Sequence, residues 1–113
     1  MAGQLKRIAG PAYLAAAATD IYTPPASTIY TVIKHIHIAN KTGSAATFTL
    51  YVGATGGSAA GTELAGATSL AANANTEIYF SPGLKMLSTD FLSGLSGTAS
   101  ALVITVMGEQ HVV

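Results

Sequence analysis

The chain has 113 residues, enough for one domain with a single modest core and too few for two. Five Lys and Arg balance five Asp and Glu, and charged residues make up only 9% of the sequence, against about 25% in an average soluble domain. That balance excludes the phosphate-binding field of a nucleic-acid protein, the lack of cysteine excludes disulfides and thiolate zinc sites, and no apolar run reaches the roughly 18 residues of a membrane-spanning helix.

Residues 1–11 read as an extended arm, and 12–113 as the single domain that follows it. The arm has two large apolar anchors, Leu5 and Ile8, around the basic pair Lys6–Arg7. Its outline resembles a secretory signal, but Gly10 and Pro11 interrupt a weakly apolar segment, so retention is expected. Ordering such an arm costs about 1 to 2 kcal/mol per residue, and burying each anchor returns only about 1.5 to 3 kcal/mol. The expectation is therefore that the arm lies on another subunit, with Leu5, Lys6, Arg7, Ile8 and Tyr13 as assembly contacts.

Residues 15–18 are four alanines, which favour helix by propensity, but the segment is too short to hold one and reads as extended. Ile21 and Tyr22 form a short strand ended by Pro24 and Pro25, which cannot donate to a ladder. Residues 28–52 then read as a hairpin of two long strands, because β-branched and aromatic residues crowd both arms. Asn40, Lys41, Thr42, Gly43 and Ser44 form its turn, with Gly43 expected at positive φ. In the second arm Phe48, Leu50 and Val52 alternate with polar neighbours. In the first arm Val32, Ile36 and Ile38 are taken as the core face, opposite Ile33, His35 and His37.

The small-residue stretch 53–75, broken by Leu64 and Leu70, suggests two short edge strands on a long loop. Residues 76–80 form a strand, Ser81-Pro82-Gly83 a turn, and 84–87 a further strand. After a polar corner at 88–90 comes a strand around Phe91, Leu92 and Leu95, and 101–110 is the last long one. Eight or nine strands at this spacing, with almost no helix, predict an all-β, antiparallel β-sandwich of jelly-roll type, with a small closed barrel as the alternative. Its long central and C-terminal strands would lie side by side, and its core would contain Ile36, Ile38, Phe48, Leu50, Ile78, Phe80, Leu102 and Ile104.

Chemistry is sparse. His35 and His37 project from one strand face and could share a metal, as in cupins. The cupin pattern also wants a glutamate shortly after the second histidine, where this chain has Asn40, Lys41 and Thr42. The histidines are therefore expected to be solvated or at an interface, with no metal, cofactor or catalytic residue. Serines lack a G-x-S-x-G elbow, and Asp20, Glu63, Glu77, Asp90 and Glu109 are not spaced as a pair. The G-A-T-G-G run at 53–57 lacks the lysine of a phosphate loop. Tyr51 and Tyr79 offer a weak platform for stacking on sugars.

The order of features resembles small virion structural proteins of tailed bacteriophages: a basic arm with A-G-P, then I-Y-T-P-P-A, then I-K-H-I-H-I-A-N-K-T-G-S-A-A-T-F-T-L-Y-V-G, then a terminal V-I-T-V-M-G-E. The resemblance spans nearly the whole chain. It implies a non-enzymatic virion component, assembled in the host cytoplasm as a homo-oligomer on the major capsid protein. Such a subunit cements neighbouring shell proteins, many weak contacts adding by avidity. A minor tail or neck protein and a carbohydrate-binding module are the alternatives. No small-molecule substrate, nucleic acid or membrane partner is expected.

Overall fold

The β-branched runs fold as eight antiparallel strands in a computed structural model that describes residues 5–17, 19–25, 28–53 and 63–112. They are β1 (Leu5–Tyr13), β2 (Thr19–Tyr22), β3 (Thr28–Asn40), β4 (Ala46–Gly53), β5 (Glu63–Leu70), β6 (Asn75–Leu87), β7 (Phe91–Ser96) and β8 (Leu102–Val112). Two four-stranded sheets form, in the orders β1-β8-β3-β6 and β2-β7-β4-β5. Strand 1 therefore pairs with 8, 2 with 7, 3 with 6 and 4 with 5. This is a long four-strand-pair hairpin rolled into two sheets, the jelly-roll arrangement. The predicted β-sandwich is thus the fold observed.

The core lies between the sheets. Ile33, Ile36, Ile38, Met86, Leu102, Ile104 and Val106 face inward from the first sheet, and Phe48, Leu50, Leu70 and Leu92 from the second. Six of the eight residues expected in the core are buried, and Ile78 and Phe80 are half-buried against it. The alternation read from β4 and β8 holds along both strands, with Phe48, Leu50, Leu102, Ile104 and Val106 inward and their neighbours outward.

Four sequence expectations are corrected. First, residues 5–13 are not a free arm: β1 is the edge strand of the first sheet, with Leu5 opposite Glu109 and Tyr13 opposite Val103. A boundary at residue 11 falls inside this strand. The ordering cost is met by the ladder to β8 as well as by Ile8 and Ala9 packing on the core, a contribution that apolar burial alone understates. Residues 1–4 lie outside the described residues.

Second, β3 and β4 are not a hairpin, since they belong to opposite sheets and residues 41–45 arch from one to the other. Gly43 does not adopt positive φ, because the arch is held by Asn40 and not by a tight turn. The Asn40 Nδ2 donates to the carbonyls of Ser44 at 2.9 Å, Leu70 at 3.1 Å and Ala71 at 3.2 Å, and its Oδ1 accepts from the backbone N–H and hydroxyl of Thr42. One buried amide thus ties the β3–β4 arch to the β5–β6 arch.

Third, the core face of β3 changes phase. Between Ile33 and His35 the ladder slips against both neighbours, and Lys34 is the extra residue relative to β8. One inserted residue exchanges the two faces, so Ile33 is buried while Val32 turns outward and is half-buried. Fourth, Ser81-Pro82-Gly83 is not a turn between two strands but lies within the continuous β6. It bulges opposite the slip in β3, where the Lys34 ammonium donates to the Pro82 carbonyl. The edge strands expected in 53–75 reduce to β5 among the described residues, and residues 54–62 lie outside them.

Where β8 passes beneath the bulge, the backbones approach too closely for a side chain. A Cβ on Gly108 would stand 2.4 Å from the Val32 carbonyl oxygen. Because β3 is clamped between β8 and β6, neither strand can withdraw. Gly108→Ala is expected to lower unfolding free energy by about 3 kcal/mol, the upper end for overpacking. Chemical denaturation measures this, and a loss below about 1 kcal/mol would show that the two central strands can part.

Candidate functional site

The inversion at the bulge decides what the outer face of the first sheet presents. Beyond it, Ile36 and Ile38 turn to the core and His35 and His37 turn outward. On the neighbouring β6, Tyr79 stands opposite His35 and Glu77 opposite His37. The four side chains meet. Glu77 Oε1 lies 3.0 Å from His35 Nε2 and 3.6 Å from His37 Nδ1. The Tyr79 ring stacks on His35 with centroids 4.5 Å apart and planes 8° apart, and the two imidazoles meet edge-on at 6.4 Å. The Glu77 carboxylate raises the Tyr79 hydroxyl pKa, mainly by its charge, then through desolvation and side-chain hydrogen bonding.

Before the bulge a second group lies on the same face. Tyr30 stacks on His111 at 4.3 Å, Lys85 Nζ sits 4.6 Å above the Tyr30 ring, and His111 Nε2 is 3.4 Å from Glu109 Oε1. Only the first group converges two imidazoles on one carboxylate, the donor set that could hold a metal. Local sequence hides it: the carboxylate missing after His37 is supplied by Glu77, 40 positions on, through the β3–β6 register. No short-range motif signals such a pairing.

The expected assembly contacts are distributed along β1. Lys6 and Arg7 are exposed on the outer strand, opposite Gly108 and Met107, while Ile8 packs on the core. Leu5 pairs with Glu109 through its backbone. Tyr13 is exposed, with Lys41 Nζ 5.3 Å from its ring centroid. Among the described side chains of this set, Lys6, Arg7 and Tyr13 are therefore the ones exposed to a partner. Tyr51 and Tyr79 sit in opposite sheets and form no common stacking platform. Hollows of about 130, 230 and 240 Å³ lie on the surface, each smaller than the roughly 300 Å³ of a small-molecule pocket.

This fold also occurs in a pilus. One solved structure, from Bacillus endospore appendages that form a family of disulfide-linked pili, is similar over 98% of this chain and 88% of its own, with 16% identity and a TM-score of 0.54. No protein-family model and no curated protein matches the chain. The likeness corrects the functional expectation drawn from sequence. The structural counterpart comes from a pilus and not a phage head, so the assignment to a capsid-cementing subunit, with its tail-protein and glycan-binding alternatives, does not stand. One of the segments behind that assignment is explained by the fold itself: the run A-N-K-T-G-S-A-A at 39–46 forms the Asn40-held arch between the sheets.

Proposed function

We propose that this chain is a non-enzymatic structural subunit that joins with copies of itself into a pilus-like polymer. The observation that carries this reading is its surface. Tyr13, Ile29, Tyr79 and Leu87 are 52%, 53%, 69% and 55% exposed in a chain with only five positive and five negative side chains besides histidine. Large apolar groups on so neutral an exterior favour burial against neighbours. The fold shared with pilus proteins supports the same reading. Among the described residues β1, β6, β2 and β5 form the sheet edges, and an edge strand is what a second copy can extend. Unlike the disulfide-linked pili, a chain without cysteine must hold its joints by other contacts.

Ile29 and Leu87 lie at the same end of the β3–β6 ladder, which makes that end the first to test. Sedimentation velocity over a rising concentration series is expected to show growing assemblies for the native chain. The double substitution Ile29→Lys and Leu87→Lys should shift them toward single subunits without loss of secondary structure. A native chain that remained a monomer throughout would overturn the proposal.

A further inference from the structure

The His35, His37 and Glu77 constellation is a built donor set, and we infer that it is a binding site for a first-row divalent ion of the zinc class. Three observations carry this. One ligand atom from each residue lies within 4.8 Å of the other two, with two of the separations at 3.0 and 3.6 Å. Ligands about 2.0 to 2.2 Å from a tetrahedral ion stand roughly 3.3 Å apart, so rotation of an exposed glutamate and one imidazole closes the set. The donor chemistry matches as well. Two imidazoles and one carboxylate suit zinc and its neighbours, whereas calcium and magnesium take oxygen ligands.

The second observation concerns a single atom. His35 Nε2 is buried and makes no hydrogen bond, although Glu77 Oε1 is only 3.0 Å away. The carboxylate oxygen is close but is not placed as an acceptor for this nitrogen. A buried polar atom without a partner is costly, and a metal ion would use its lone pair. Third, the His35 ring is held in place: the Tyr79 ring stacks on it, with centroids 4.5 Å and planes 8° apart, which restrains the imidazole beside Glu77. Three protein ligands on an outer sheet face leave a fourth position open to water.

Chelator-treated protein titrated with Zn²⁺ in a calorimeter, and with Co²⁺ followed by visible absorption, tests the inference. One ion per chain is expected, with Co²⁺ bands of a four-coordinate nitrogen–oxygen site. Affinity should fall at least 10-fold in Glu77→Gln and in His37→Ala, and should be unchanged in His111→Ala. Circular dichroism establishes that each variant is folded. If Glu77→Gln proves unfolded, His37→Gln replaces it as the second variant. Absence of binding at 100 μM metal, or affinity that follows His111 and ignores His37 and Glu77, would overturn the site and leave the cluster a His–Glu ion pair. Because no assembly readout enters, this result stands apart from that of the polymer proposal.

Discussion

Removing residues 2–9 is expected to destabilise the isolated chain by roughly 3 kcal/mol or more, or to prevent folding altogether. The truncation deletes most of β1, which the sequence presents as a dispensable arm but which runs antiparallel to β8 from Leu5 to Tyr13. Several ladder hydrogen bonds, worth about 1 kcal/mol net each, would be lost together with part of the roughly 1.5 to 3 kcal/mol from burying Ile8. A second cost follows from topology. Strand β8 lies inside its sheet, and without β1 it becomes a long exposed edge able to pair with other chains. Denaturant unfolding and light scattering together report both effects. A truncated chain with an unchanged midpoint and no aggregation would show that β1 is docked without contributing to the fold.

The other large effect is expected at Asn40, where substitution by alanine should cost about 3 kcal/mol. Its amide donates to three backbone carbonyls from two arches and its oxygen accepts two bonds from Thr42. Losing it strands the Leu70 carbonyl in a buried position and leaves those of Ser44 and Ala71 to water. A buried acceptor without a donor costs about 1 to 3 kcal/mol, and the loosened Thr42 contacts add to this. In a domain of this size the thermal midpoint should fall by more than about 10 °C. Asn40→Asp is a sharper test. A carboxylate can keep the Thr42 bonds but has no N–H for the carbonyls, so it should not restore stability. Full recovery in the aspartate variant would assign the arch to Thr42 alone.

Much of the fold is legible in the sequence where a strand has one wet face and one dry face. In β4 and β8 alternation alone places Phe48, Leu50, Leu102, Ile104 and Val106 inward. What is not legible comes from pairing at a distance. The slip that turns Ile33 inward exists because β3 is held on both sides, by β8 and by β6, and a single strand carries no mark of it. Pro82-Gly83 carries the composition of a turn, yet the chain passes through it as a bulge because β3 has its own irregularity opposite. The assignment of β3 and β4 to different sheets has the same origin: short connections suit a hairpin and an arch equally, and Asn40 selects the arch through partners 30 and 31 residues away. The His35–His37–Glu77 cluster depends on one cross-strand register, so its histidines are visible in the sequence and its carboxylate is not.

On the proposed reading, a jelly-roll chain with few charges and exposed apolar groups joins with its own copies into a pilus-like polymer without disulfide joints. Negative-stain electron microscopy of the purified chain at high concentration, in the presence and absence of a thiol reductant, tests it most directly. Filaments with a regular axial repeat are expected, the same in both conditions, since no cysteine is available to link them. Isolated particles of single-subunit size, at every concentration and in both conditions, would contradict it.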